Sequence, residues 1–151
     1  MGLERMLARD AFDVVAINTG TSGSPTWTAI AGITNVSPDS TADTTDDTDF
    51  ESGGISATKV VSRSKALTVS GNYLEDPDTG DQDPGQAALY DSGDLIGYDS
   101  NTMFKVTSLG GNEYTFEGSV EFTQGGGGTN DNGAFEAKIT ISGAVTFTPP
   151  A

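Results

Sequence analysis

The strictest constraint on this fold is an alternation of apolar and polar residues over the last forty positions of the sequence. Apart from Gly118 and Gly143, apolar side chains recur at every second position between residues 114 and 122, and again between residues 135 and 147. Successive side chains of a strand point to opposite faces, so each stretch predicts a strand with one buried face. Residues 125–132, between the two stretches, are polar and glycine-rich, which predicts the tip of a long antiparallel hairpin.

Five further stretches have the composition of strands, with β-branched and aromatic residues bounded by turn residues. They lie at residues 12–18, 27–36, 55–63, 66–73 and 102–109. Ahead of the last of these, Asp83, Pro84 and Gln86 are the residue types of an N-cap, a first helical position and a capping box. They predict one short helix that ends near Gly93, because glycine is common just past a helix end.

Seven strands and one helix predict a mainly β fold, an antiparallel β-sandwich or barrel with one short α-helix that plugs an open end or edge. The length of 151 residues suits one core, and no repeat or linker divides the sequence. We therefore expect a single domain over residues 1–151, with residues 1–10 as an N-terminal arm.

Residues 37–54 consist mostly of Ser, Thr, Asp and Gly, and Phe50 is their one large apolar residue. Such a stretch cannot bury enough apolar area to order itself, so it predicts a long acidic loop. Long loops inside compact domains are often functional. We expect this loop to be ordered by a partner, with Phe50 as its anchor.

Charge sets a second limit, because 22 acidic residues face seven basic ones and the formal net charge is −15. Such a chain repels a nucleic-acid backbone. It suits concentrated salt, where the repulsion between subunits is screened within about 3 Å at 1 M. The composition thus favours a halophilic host, and we expect folding or assembly to strengthen with added salt.

Catalytic chemistry is restricted because the chain has no cysteine and no histidine, which excludes thiolate nucleophiles, imidazole bases and the common zinc ligands. Carboxylate pairs remain for glycoside hydrolysis, but Trp27 and four tyrosines offer few aromatic platforms for a sugar. Trp27 is more typical of a core anchor. We therefore expect no enzyme activity and no cofactor.

No run in the sequence approaches the about 20 consecutive apolar residues of a membrane span, so no membrane partner is expected.

Two loops resemble ligand sites weakly. Residues 76–83 carry carboxylates at alternate positions, which calcium favours, but Gly80 and Asp81 stand in the reverse of the usual calcium-loop order. An acidic turn leading into the Asp83 cap is the simpler interpretation, so no metal site is predicted. The glycines at 125–128 lack the Lys and Ser or Thr that follow in a phosphate loop.

The order of these features resembles the tail tube, or major tail, proteins of long-tailed bacterial and archaeal viruses. The resemblance spans nearly the whole chain and depends on order and spacing, because each piece alone is unspecific. The matching pieces are residues 8–10, the strand at 27–33, the Asp- and Thr-rich residues 46–50, the strand at 67–73, the helix start at 83–89 and the strand at 139–147.

The resemblance implies a virion protein, made in the host cytoplasm, that forms homo-hexameric rings stacked into a hollow tail tube. The genome then passes through the lumen without specific binding, and other tail proteins are further partners. The long loop and the chain ends are implied to make contacts between rings, with Asp46, Asp47, Asp49 and Phe50 as candidates. Glu117, Glu121 and Glu136, on the polar face of the terminal hairpin, are candidates for the lumen wall.

A secreted or surface-layer β-sandwich adhesion domain, with calcium in the acidic loops, is the alternative that the sequence leaves open. The first ten residues contain Arg5, Arg9 and only a broken apolar run, so no secretory signal is expected. This counts against the alternative without excluding it.

Overall fold

The computed structural model describes residues 3, 5–21, 23–46, 53, 55 and 58–150. Seven strands and two helices lie within these residues. The strands are β1 (Val14–Asn18), β2 (Trp27–Ala29), β3 (Ile33–Asp46), β4 (Thr58–Asn72), β5 (Asn101–Thr107), β6 (Glu113–Gly125) and β7 (Ala134–Thr148). The helices are α1 (Ala8–Ala11), a single turn in the N-terminal arm, and α2 (Pro84–Gly93), and a 3-10 turn (Gly97–Ser100) precedes β5.

The strands form one antiparallel sheet in the order β2-β1-β5-β6-β7-β4-β3. The predicted fold class, mainly β and antiparallel with one short helix, is confirmed. The predicted terminal hairpin is β6 and β7, which pair from Glu113 opposite Thr148 to Gly125 opposite Ala134. No helix among the described residues is both long and apolar enough to span a membrane.

The sheet curls around one core. Side chains of β1 and of β4, which are separated by three other strands, belong to the same buried cluster, so the sheet cannot be flat. Helix α2 covers this core with Leu89, which is fully buried. The cluster comprises Val15, Ile17, Ile30, Leu67, Val69, Leu89, Phe104, Val106, Phe116, Val120, Phe135, Ala137 and Ile139.

The start of α2 follows the prediction only in part. The Asp83 side chain accepts a hydrogen bond from the Gln86 backbone N–H at 3.1 Å, and Pro84 is the first helical residue. The Gln86 side chain does not return to the cap as a capping box requires. Its Nε2 instead donates to the carbonyl oxygens of Ala31 (2.8 Å) and Asn72 (2.9 Å), and its Oε1 accepts from Leu74 N–H. Gln86 therefore joins α2 to the end of β4.

Three of the predicted strands have the wrong bounds. The strand expected at 27–36 is two strands, because β2 ends at Ala29 and β3 begins at Ile33, and Gly32, with a φ of +78°, lies in the break between them. The two strands expected at 55–63 and 66–73 are one strand, β4.

The predicted loop at 37–54 is wrong for residues 37–46, which continue β3 in register with β4. Their polarity does not prevent a strand here, because Thr and Ser suit an exposed ladder whose backbone hydrogen bonds come from β4. Pro38 is tolerated because β3 is an edge strand.

Candidate assembly surfaces

The most exposed structured part of the molecule is a two-stranded ribbon, formed by residues 39–46 of β3 and residues 58–65 of β4. Strand β4 pairs with β7 only from Lys65 to Asn72, so its first half has β3 as its single partner. All residues of the ribbon are exposed. Eight residues of strand extend about 26 Å. The ribbon therefore projects from the body by a length comparable to the sheet itself.

The two faces of the ribbon carry opposite charges. Arg63 and Lys65 lie at alternate positions that continue the core-facing row of Leu67 and Val69. Asp39 and Asp43 lie on the other face, and Asp43 accepts a hydrogen bond from Ser62 Oγ at 2.8 Å across the strands. We call the face of Arg63 and Lys65 the cationic face. Among the described residues, neither side chain has an ion pair or a side-chain hydrogen bond.

Toward its tip the ribbon is irregular. The register shifts between Asp43 and Thr44, which leaves Val61 without a cross-strand partner. Val60 and Val61 are 47% and 62% exposed, unusual for a pair of β-branched apolar residues. Of the predicted contact residues, Asp46 ends β3 opposite Thr58, whereas Asp47, Asp49 and Phe50 lie outside the described residues.

The three predicted lumen candidates lie on one exposed face of the sheet. Glu117 and Glu121 lie two positions to either side of Ser119 in β6, and Glu136 faces Thr123 and Ser70 from β7. Lys138 is directly opposite Glu121. This face is therefore acidic with Lys138 interspersed among its carboxylates.

Trp27 is not the core anchor that its type predicts. It is half-buried on β2, the edge strand, and is absent from the core cluster. Lys105 Nζ lies 5.2 Å from the centre of its ring, and the same nitrogen is 3.9 Å from Glu113 Oε1. The indole therefore packs beside a cation on the outer face of the sheet.

The acidic segment at 76–83 is folded by its own hydrogen bonds. Asp76 Oδ1 accepts from Asp78 N–H at 2.9 Å, and Asp81 Oδ2 accepts from Thr79 Oγ1 at 2.9 Å. Within the described part of the chain, no three carboxylates converge as metal ligands would. The segment is the acidic turn that the sequence favoured over a calcium loop.

Helix α2 and the ends of β4 and β6 enclose a cleft of about 420 Å³. The side chains that line it are aromatic rings, amides and a carboxylate: Tyr73, Gln82, Gln86, Tyr90, Asp91, Phe122 and Gln124. Tyr73 Oη donates to Glu75 Oε1 at 3.2 Å and accepts from Gln82 Nε2 at 2.9 Å. Partial burial of the ring and the nearby Glu75 carboxylate raise the pKa of Tyr73, so the phenol stays protonated and keeps this donor role.

Chains in three solved structures share this fold. A chain in the tail of an empty gene transfer agent particle, obtained by helical refinement with C6 symmetry, aligns with a TM-score of 0.64 and 22% identity over 95% of this chain and 99% of that one. This chain has the fold of that tail chain. A chain in the virion of a native gene transfer agent particle aligns with a TM-score of 0.59 and 20% identity, over 95% of this chain and 99% of that one. A chain in the six-fold symmetrised baseplate of the anti-feeding prophage aligns with a TM-score of 0.57 and 10% identity, over 99% of this chain and 98% of that one.

No protein-family model and no curated protein matches the sequence. The tail-like fold that the resemblance implied is confirmed by the structures alone.

Proposed function

We propose that this chain is a structural subunit of a viral or virus-like tail tube, which forms hexameric rings stacked into a hollow tube. The observation that carries the proposal is the alignment, over nearly all of both chains, with a subunit of a tail that has C6 symmetry. A shared fold does not by itself fix a function. Three features of this chain agree with the assembly.

The first feature is the open edge of the sheet. Strand β3 is an edge strand of 14 residues, and a long unpaired edge invites pairing with another chain. The other edge, β2, has three residues. In a closed ring of identical subunits each exposed edge can pair with a neighbour, so no edge remains free to aggregate.

The second feature is the ribbon. A two-stranded ribbon is marginal in water, since it has no apolar face to bury. A neighbouring ring would cover it, and Asp46, Asp47, Asp49 and Phe50 are the proposed contacts. The ribbon replaces the loop expected from the sequence as the element that joins rings.

The third feature is the acidic face with Glu117, Glu121 and Glu136. As a lumen wall it would offer a polyanion few cations to bind, so DNA would pass without specific contacts. Lys138 lies directly opposite Glu121 on this face, where opposite charges attract across the strands. The subunit thus has a passive structural role with no catalytic step, in a virion tail whose other proteins are its remaining partners.

Native mass spectrometry and negative-stain imaging of the purified protein test this proposal. We expect six-subunit species at micromolar concentration and open tubes at higher concentration. A particle that stays monomeric across concentrations and from low to molar salt contradicts it.

A further inference from the structure

Surfaces of opposite charge lie at the two ends of β4. Its first half carries the cationic face with Arg63 and Lys65, and residues 73–100, which follow its last residue, contain eight carboxylates and no Lys or Arg. These residues include α2, and Asp91 supplies a carboxylate to the lining of the cleft with Tyr73 and Tyr90. We call residues 73–100 the helix end. The cationic face of the ribbon and the helix end therefore carry opposite charges.

The cationic face is exposed in its own subunit. Its base, at Ser40 and Lys65, borders a cleft that Phe12, Tyr114 and Val145 also line, whereas Ala42 and Arg63 are not among the lining residues. Two of the seven basic residues of a chain with a net charge of −15 occupy this face, and no acidic residue shares it between residues 39 and 43 or 62 and 65. It is therefore a local exception to the charge of the molecule.

The cleft at the helix end has the groups that recognise a guanidinium or an ammonium. Asp91 provides an exposed carboxylate and the rings of Tyr73 and Tyr90 provide aromatic surface. Tyr90 is 53% exposed, and its ring is held edge-on against Phe122 at 5.6 Å. Gln82 and Gln124 add amide oxygens at the rim.

A ribbon cannot reach the cleft of its own subunit. Arg63 in β4 and Tyr73 just after it are ten residues apart, which is about 33 Å of extended strand. Any contact between them joins two copies head to tail, and a head-to-tail contact along one axis repeats without closing. That is the symmetry of stacked rings.

We propose that the cationic face of the ribbon docks in the Tyr73–Tyr90–Asp91 cleft of a subunit in the next ring, with Arg63 inserted beside Asp91 and Lys65 toward the surrounding carboxylates. This contact rests on the proposed function, since it assumes stacked rings, and it adds the partner surface and the direction of stacking. Charge complementarity selects a second copy as the occupant, because the helix end has eight carboxylates and no Lys or Arg.

A charge-swap cycle tests the contact. Arg63→Glu and Asp91→Lys should each raise the critical concentration for tubes by at least about tenfold, while hexameric rings still form. The double variant Arg63→Glu/Asp91→Lys should recover tubes. Lys138→Glu, which makes the same charge change on the sheet face away from both surfaces, is the control and should leave the critical concentration unchanged.

Mixing identifies the contact as one between rings. Preformed rings of Arg63→Glu and of Asp91→Lys, each unable to stack alone, should form tubes when combined, because alternating rings then present complementary pairs at every junction. Tubes of Arg63→Glu that form as readily as those of Lys138→Glu overturn this contact and leave the proposed function standing. Loss of the rings themselves places the contact inside a ring and also overturns it. A wild-type chain that forms neither rings nor tubes overturns both proposals.

Discussion

The two halves of β4 belong to one continuous strand but have opposite environments. Leu67 and Val69, in the second half, are 4% and 0% exposed and lie between β3 and β7. Val60 and Val61, in the first half, are about half or more exposed and have β3 alone beside them. The stability of the subunit therefore resides in the body, and the ribbon has only its own ladder to hold it. Contacts with other subunits in the assembly can therefore add most of the stability that the ribbon lacks in the free subunit.

The sharpest way to break this comparison is to truncate one apolar side chain in each half. Leu67→Ala should lower the free energy of unfolding by about 2–5 kcal/mol, because it leaves a cavity in the core. Val61→Ala, in the same strand, should change it by less than about 0.5 kcal/mol, because the side chain is already in water. Urea unfolding of the two variants at low protein concentration measures both values. Similar losses in the two variants mean that the ribbon is part of the core.

The second test concerns the polar link that fixes the body at the far end of β4. Gln86→Ala should cost about 1–3 kcal/mol, because Leu74 N–H and the carbonyl oxygens of Ala31 and Asn72 lose a buried partner. Gln124→Ala, an exposed glutamine near α2, serves as the control and should be close to neutral. Thermal unfolding at one protein concentration compares them. If Gln86→Ala leaves the unfolding temperature unchanged, water replaces the hydrogen bonds of the glutamine side chain.

A smaller effect is expected at the helix cap. Asp83→Ala should cost about 1 kcal/mol, since the Gln86 N–H loses its acceptor and Ala31 N–H loses a bond at 3.2 Å. Asp81→Ala, two residues earlier on the exposed turn, is the matched loss of a carboxylate. If both variants lose equal stability, the turn and not the cap is what stabilises this end.

The smallest effect on the subunit is expected from a change at Phe50, which lies between β3 and β4 in the sequence. Phe50→Ser should leave the far-ultraviolet spectrum and the unfolding free energy of the isolated subunit unchanged, while it lowers the yield or length of tubes. Such a result is the mark of a contact made only in the assembly. Unfolding of the free subunit by this substitution would instead make Phe50 a core residue. Val60→Ser makes an apolar-to-polar change within the ribbon itself. Comparing tube yields of the two variants shows whether the loss of tubes is specific to Phe50.

The contrast between body and ribbon also explains which predictions from sequence succeeded. The β6–β7 hairpin could be predicted because its period of two extends over two long stretches that lie close in sequence. The Asp83 cap and the first turn of α2 depend on neighbouring residues, so they could be predicted as well. Glu117, Glu121 and Glu136 lie on the exposed face of this hairpin for the same reason, and their place in a lumen wall stays a prediction. In each case the signal is local.

The ribbon could not be predicted, because its strand character depends on a partner and not on its own pattern. Residues 39–46 have no apolar alternation, and they become a strand through pairing with β4. The opposite charges of its faces depend on the register between the two strands, which no spacing within either strand reveals. The same limit applies to Trp27, whose half-buried place depends on β2 being an edge.

Hydrogen exchange along β4 tests the central claim most directly, because one strand reports on both environments. In the free subunit, amides of residues 58–64 should exchange at least about a hundredfold faster than those of residues 67–72, as expected for a segment that opens locally. On tube formation the first group should become protected to a similar degree, and the second should change little. A ribbon that is already as protected as the body in the free subunit, or that stays unprotected in the tube, would contradict the account.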